Sequence, residues 1–134
     1  MAALLLSDGV LLIALLLHLS VHLIQQPGGA VAIPLRLWIA AGVLIVLVVL
    51  ALISAVKHSR RAPSISALAG FGIAVAVLVG HAAPPWGVLS ESYWAAGAHA
   101  NAVSWLALGL VCVAGVWTGT TSLKMLRAER AKPS

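Results

Sequence analysis

Hydrophobic residues run along this chain in long unbroken stretches, and the charged residues fall between them. Leu37 to Val56 carries no charge between Arg36 and Lys57, Ala62 to Gly80 none between Arg61 and His81, and Ala100 to Leu123 none between His99 and Lys124. Each stretch is close to the ~20 residues a helix needs to cross a hydrocarbon layer about 30 Å thick. The first apolar stretch, Gly9 to Ile24, is shorter, so its helix is expected to begin near Leu4 and to carry Asp8 with it. The runs are too long, and alternate too little, for barrel strands, and only helices satisfy their own backbone groups in lipid. The pattern predicts an all-α integral membrane four-helix bundle, one domain over residues 1–134, with spans at about 4–25, 35–57, 63–81 and 99–123 and a basic tail over 124–134. The loops are expected to be short, apart from a longer one between the third and fourth helices.

Proline agrees with this division. Pro27, Pro34, Pro63, Pro84, Pro85 and Pro133 fall between the spans or at their ends, where a missing N–H costs little. Helices in lipid pack through small residues four apart. Gly72, Ala76 and Gly80 form one such stripe, Ser66, Gly70 and Ala74 an adjacent one, and Gly115 and Gly119 a pair on the fourth span. Packing within the bundle is the expected use of these positions.

Composition turns the pattern into a class. The chain is 62% hydrophobic and 8% charged, with a mean hydropathy of +1.09, whereas charged residues make up roughly a quarter of an ordinary soluble domain. The net charge of +5 does not indicate nucleic acid, because the basic residues flank apolar runs instead of forming one exposed face. They indicate orientation instead. Lys57, Arg60 and Arg61 fill the second loop and Lys124, Arg127, Arg130 and Lys132 the tail, while the first and third loops together hold only Arg36. Basic residues are retained on the cytoplasmic side, so both termini are expected in the cytoplasm of a bacterial-type plasma membrane. Trp38, Trp86, Tyr93 and Trp94 then lie at the outer interface as anchors. The N-terminal stretch has no basic n-region and no small-residue cleavage site, so it is expected to be retained. Cys112 stands alone and offers neither an intrachain disulfide nor a thiolate site.

The candidate chemistry lies in the histidines. Topology places His18, His22, His81 and His99 toward the outer side, with His58 among the inner basic residues. Asp8, Leu11, Leu15, His18, His22 and Gln25 or Gln26 share one face of the first helix, a polar stripe that lipid would penalise. Three readings follow. The imidazoles are structural hydrogen-bonding groups between helices; they bind copper, zinc or haem iron, which imidazole suits without any cysteine; or they form a proton path with Asp8. Depth along the helices favours His22, His81 and His99 as ligands, with His18 behind them and Glu91 as an extra ligand or loop contact. A haem b would need two facing imidazoles, His22 with His81 or His99. Asp8, the buried acid, has the simpler expectation of pairing with Lys57, Arg60, Arg61 or Lys124, or capping its helix with Ser7.

Nucleophile elbows, phosphate loops, HExxH and CxxC are all missing from the sequence. The leading expectation is therefore a non-catalytic subunit or accessory factor of a larger membrane complex, in contact with lipid and with partner subunits or copies of itself. The alternative is a haem- or metal-binding membrane protein for electron transfer or metal handling.

Overall fold

The structure is a computed structural model and describes residues 1–25, 33–95 and 100–131. Among these residues all regular structure is helical: α1 (Ala2–Gln25), α2 (Leu35–Val56), α3 (Ala62–Ala82) and α4 (Ala102–Arg130). All four are long and apolar enough to cross a membrane. Each helix packs on its neighbours in sequence and α4 closes back on α1, while α1 and α3 meet only narrowly across the diagonal. Leu11, Leu15, Val48, Ile73, Val77, Leu108 and Val111, drawn from all four helices, form the buried centre.

The ends of the helices follow local chemistry. At the close of α2 the chain turns through His58, whose φ of 50° is left-handed. The His58 N–H donates to Ala55 O at 3.1 Å and the Ser59 N–H to Ser54 O at 3.0 Å, so two carbonyls orphaned at the helix end find donors in a Schellman turn. Pro63 lies in the first turn of α3, where its missing N–H leaves nothing unpaired. Asn101 starts α4: its side chain accepts from the N–H groups of Val103 and Ser104, and the Ser104 hydroxyl accepts from the Asn101 N–H. This reciprocal box fixes the helix start at Ala102, three residues later than the expected span at 99–123. At its far end α4 continues through Arg130, so Lys124, Arg127 and Arg130 lie on the helix.

The tightest helix contact is between α3 and α4. A Cβ placed on Gly70 would fall 2.5 Å from Gly115 O and 2.6 Å from Gly119 N, and one on Gly119 would meet the Phe71 ring at 2.6 Å. Gly70 and Ala74 of the stripe therefore face α4, while Ser66 turns to Asp8 on α1. Gly72 meets nothing within 4 Å, Gly80 touches only Leu89 O at 4.0 Å, and Ala76 lines a cavity toward α2.

Asp8 lies fully buried near the opposite end from the histidines. Its partner is Ser66, which donates to Oδ2 at 2.8 Å, rather than any of the basic side chains expected for it, and its Oδ1 has no hydrogen-bond partner among the described residues. Beside it Thr118 donates to Ser7 O at 3.0 Å and ties α4 to α1.

Helix α2 is held differently from the others. Its buried residues are Val48, Ala51 and Ala55, all in the half nearer the basic turn. At the end beside the histidines Leu35, Ile39 and Val43 are each at least 60% exposed. No residue of that half is fully buried, and Leu44 is only partly buried against the core.

Candidate metal centre

His18 and His22 are one turn apart on the same face of α1, and His81 is in the last turn of α3. The His81 imidazole enters between the other two: its Nε2 is 3.2 Å from Nε2 of His18 and 3.3 Å from Nε2 of His22. The three ring centroids stand 4.9, 5.0 and 4.7 Å apart. One ligand nitrogen from each residue lies within 4.8 Å of the others.

The tautomers follow from the second nitrogen of each ring. His81 Nδ1 is 3.1 Å from the Glu91 carbonyl oxygen. A carbonyl only accepts, so Nδ1 carries the proton and the neutral ring turns its Nε2 lone pair inward. His22 Nδ1 faces the Glu91 carboxylate at 3.5 Å, a longer contact that favours a proton on that nitrogen. With the proton there, the lone pairs of His22 and His81 point at each other across 3.3 Å. His18 Nε2 can donate to one of them, but the single lone pair of His81 cannot satisfy two neighbours. His18 Nδ1 is buried with no hydrogen-bond partner among the described residues.

A cation held between the rings would relieve both Nε2 contacts of His81. With metal–nitrogen bonds of about 2.0–2.1 Å, two ligands at the tetrahedral angle stand roughly 3.3–3.4 Å apart, close to the His18–His81 and His22–His81 separations, and the ligand nitrogens of all three residues lie within 4.8 Å of one another. Around such an ion Glu91 would stand behind the ligands, with its carboxylate toward His22 and its backbone carbonyl toward His81. The expectation made Glu91 an extra ligand or loop contact and set His18 behind His22, His81 and His99; among the described residues His18 Nε2 stands 3.2 Å from His81 Nε2, and Glu91 meets His22 through its carboxylate and His81 through its carbonyl. Side chains one helical turn apart stack on one face, and a third ring inserted between them touches both.

Haem fits these rings poorly. Two axial ligands of one iron stand about 4 Å apart, twice a metal–nitrogen bond, and the macrocycle must lie between them. At 3.2–3.3 Å the described imidazoles leave no such slot. His99 lies outside the described residues.

The loop after α3 folds over the site. The Glu91 N–H donates to Gly80 O at 3.0 Å and the Tyr93 N–H to His81 O at 2.8 Å, and the Tyr93 ring stacks on His81 at 4.9 Å. Trp94 Nε1 donates to Ala82 O and Trp86 Nε1 to Val79 O, at 2.9 and 3.0 Å. Arg36 reaches across from α2 and donates to Val88 O at 2.6 Å. Gln25 Nε2 donates to Asn101 Oδ1 at 3.0 Å, joining the end of α1 to the start of α4. Burial raises the Glu91 carboxyl above its ordinary value, with His81 and Arg36 pulling the other way. Burial, with the Glu91 charge adding to it, pushes the Tyr93 phenol up to about 12.

Tyr93 closes one side of His81, and the other side opens into a cavity of about 530 Å³ between α2 and the α1–α3 pair. Trp38 is among its lining residues. Comparison with protein-family models, with curated proteins and with solved structures finds no match for the chain.

Proposed function

We propose that this chain is a four-span membrane protein that binds one first-row transition metal ion, zinc in the first instance, through Nε2 of His18, His22 and His81. The single observation that supports this reading is the cluster of three imidazoles from two helices, with ligand nitrogens within 4.8 Å of one another and the Glu91 carbonyl holding the proton on His81 Nδ1 so that its Nε2 lone pair turns inward. Three nitrogen ligands and no thiolate suit Zn²⁺, with Cu²⁺ next, and a three-histidine centre leaves a fourth position open. The apolar helices cross the membrane with both termini in the cytoplasm of a bacterial-type plasma membrane, the basic turn and the end of α4 inside. The metal centre then lies at the outer end of the bundle, and the chain handles metal on that side.

The non-catalytic subunit remains a second reading for the same molecule. It is supported by the exposed apolar face of α2, which meets lipid or a partner subunit.

Metal analysis tests the proposal. The full chain, purified in detergent, stripped with chelator and equilibrated with zinc, is expected to retain about one ion per chain. His81→Ala is expected to retain none, and His58→Ala, at the other end of the molecule, to match the unaltered protein. Stoichiometric zinc in His81→Ala, or none in the unaltered chain, contradicts the assignment.

A further inference from the structure

The cavity beside the histidines is lined by His18, His22 and His81 themselves, and its walls say what enters. Nearly all of its surface is apolar, from Leu15, Leu37, Leu44, Val77 and Leu89 among others, and its polar residues gather around His18, His22, His81 and Glu91. Along this half α2 has no fully buried residue, and the lining runs down the helices from the histidines to Leu44 and Val75. Its volume of about 530 Å³ lies within the 300–1,000 Å³ typical of small-molecule sites.

Charge specifies the head of the ligand. Three neutral imidazoles add nothing to a divalent ion, and the Glu91 carboxylate 3.5 Å from His22 removes one of its two charges. One positive charge is left uncompensated in an apolar setting, where it costs most. Arg36 lies on the same side and adds to it. An oxygen anion at the open position neutralises the centre, and only a long apolar tail fills the rest of the space.

We infer that the cavity binds a single-chain amphiphile with a carboxylate head, the carboxylate on the open metal position and the tail between α2 and α3. This inference rests on the metal reading above. A neutral lipid leaves the metal charge unmatched, and a free inorganic anion leaves the apolar walls without an occupant.

The test uses the full chain in detergent with cis-parinaric acid, a fluorescent long-chain carboxylate, and with its methyl ester. Bound zinc is measured on every sample. Zinc-loaded protein is expected to bind the acid saturably, about tenfold to hundredfold tighter than chelator-stripped protein, the range of one charge-assisted contact. The ester is expected to show no such gain. Ala41→Trp, which fills the cavity, is expected to lose binding of the acid while keeping its zinc, and Leu110→Trp, on an exposed face of α4, to leave both unchanged. Equal affinity with and without zinc, equal affinity for acid and ester, or undiminished binding by zinc-loaded Ala41→Trp overturns the inference. Absence of zinc from the unaltered chain overturns the metal reading itself, and the separate zinc measurement tells the two failures apart.

Discussion

His18 and His81, sixty-three positions apart on different helices, bring their Nε2 atoms to 3.2 Å. Two ring nitrogens at that distance are held either by a shared proton or by a shared cation. His22 adds a third nitrogen 3.3 Å from the same atom of His81, and one proton cannot serve both contacts.

Glu91 touches His22 through its side chain and His81 through its backbone. Glu91→Gln keeps the carbonyl but removes the charge that holds the His22 proton in place. Zinc affinity, measured by competition with a chelating dye, is expected to fall about 10- to 100-fold, the usual cost of losing a group behind a metal ligand. Unchanged affinity would remove Glu91 from the site.

The single tyrosine of the chain reports on the same loop. The folded pKa of Tyr93, about 12, lies above its ordinary value of 10.0, so the native state holds this proton more tightly than the unfolded state. The stability gained is fully present below pH 10 and is lost as pH rises from 10 toward 12. An absorbance titration of tyrosinate is expected to show a midpoint near 12 in the folded protein, falling to the ordinary value on denaturation. A folded midpoint at the ordinary value would mean that the loop does not cover the site.

Gly70 and Gly72 are two residues apart on α3 but face different surroundings. Gly70→Ala drives a methyl into the Gly115 carbonyl and is expected to destabilise the bundle by about 1–3 kcal/mol, the usual cost of overpacking. Gly72→Ala meets open space and is expected to stabilise α3 by roughly 0.5–1 kcal/mol. Thermal unfolding in detergent checks both, and an equal response of the two variants would contradict the packing of α3 on α4.

His58, left-handed at the Schellman turn, carries strain that glycine relieves. His58→Gly is expected to raise stability by about 0.5–1 kcal/mol, since the left-handed backbone costs an L-residue about 1–2 kcal/mol and glycine's freedom in the unfolded chain returns part of the gain. The same melting measurement decides it. Zinc binding should not change, because the turn lies at the far end of α2 from the histidines.

The four helices were legible because charge marks where an apolar run stops. The end of α4 was not, because Leu123 to Arg130 contains strong helix formers that keep the helix going beyond the apolar run. Its start was written in Asn101 and Ser104, a capping pair that the run of uncharged residues obscured. The polar face shared by Asp8, His18 and His22 was visible from helical spacing. What spacing along one axis could not show was that His81 enters between His18 and His22, nor which of two small-residue stripes on α3 meets α4. Both depend on how the helices are rotated about their axes, and that is set by tertiary packing.

X-ray absorption at the zinc edge of the loaded full chain tests the central claim most directly. Three imidazole nitrogens are expected at about 2.0–2.1 Å, with one further light-atom ligand at the open position. His18→Ala, His22→Ala and His81→Ala are each expected to remove the imidazole scattering or the metal itself. A spectrum with fewer than three imidazoles, or one unchanged in those variants, would contradict the site.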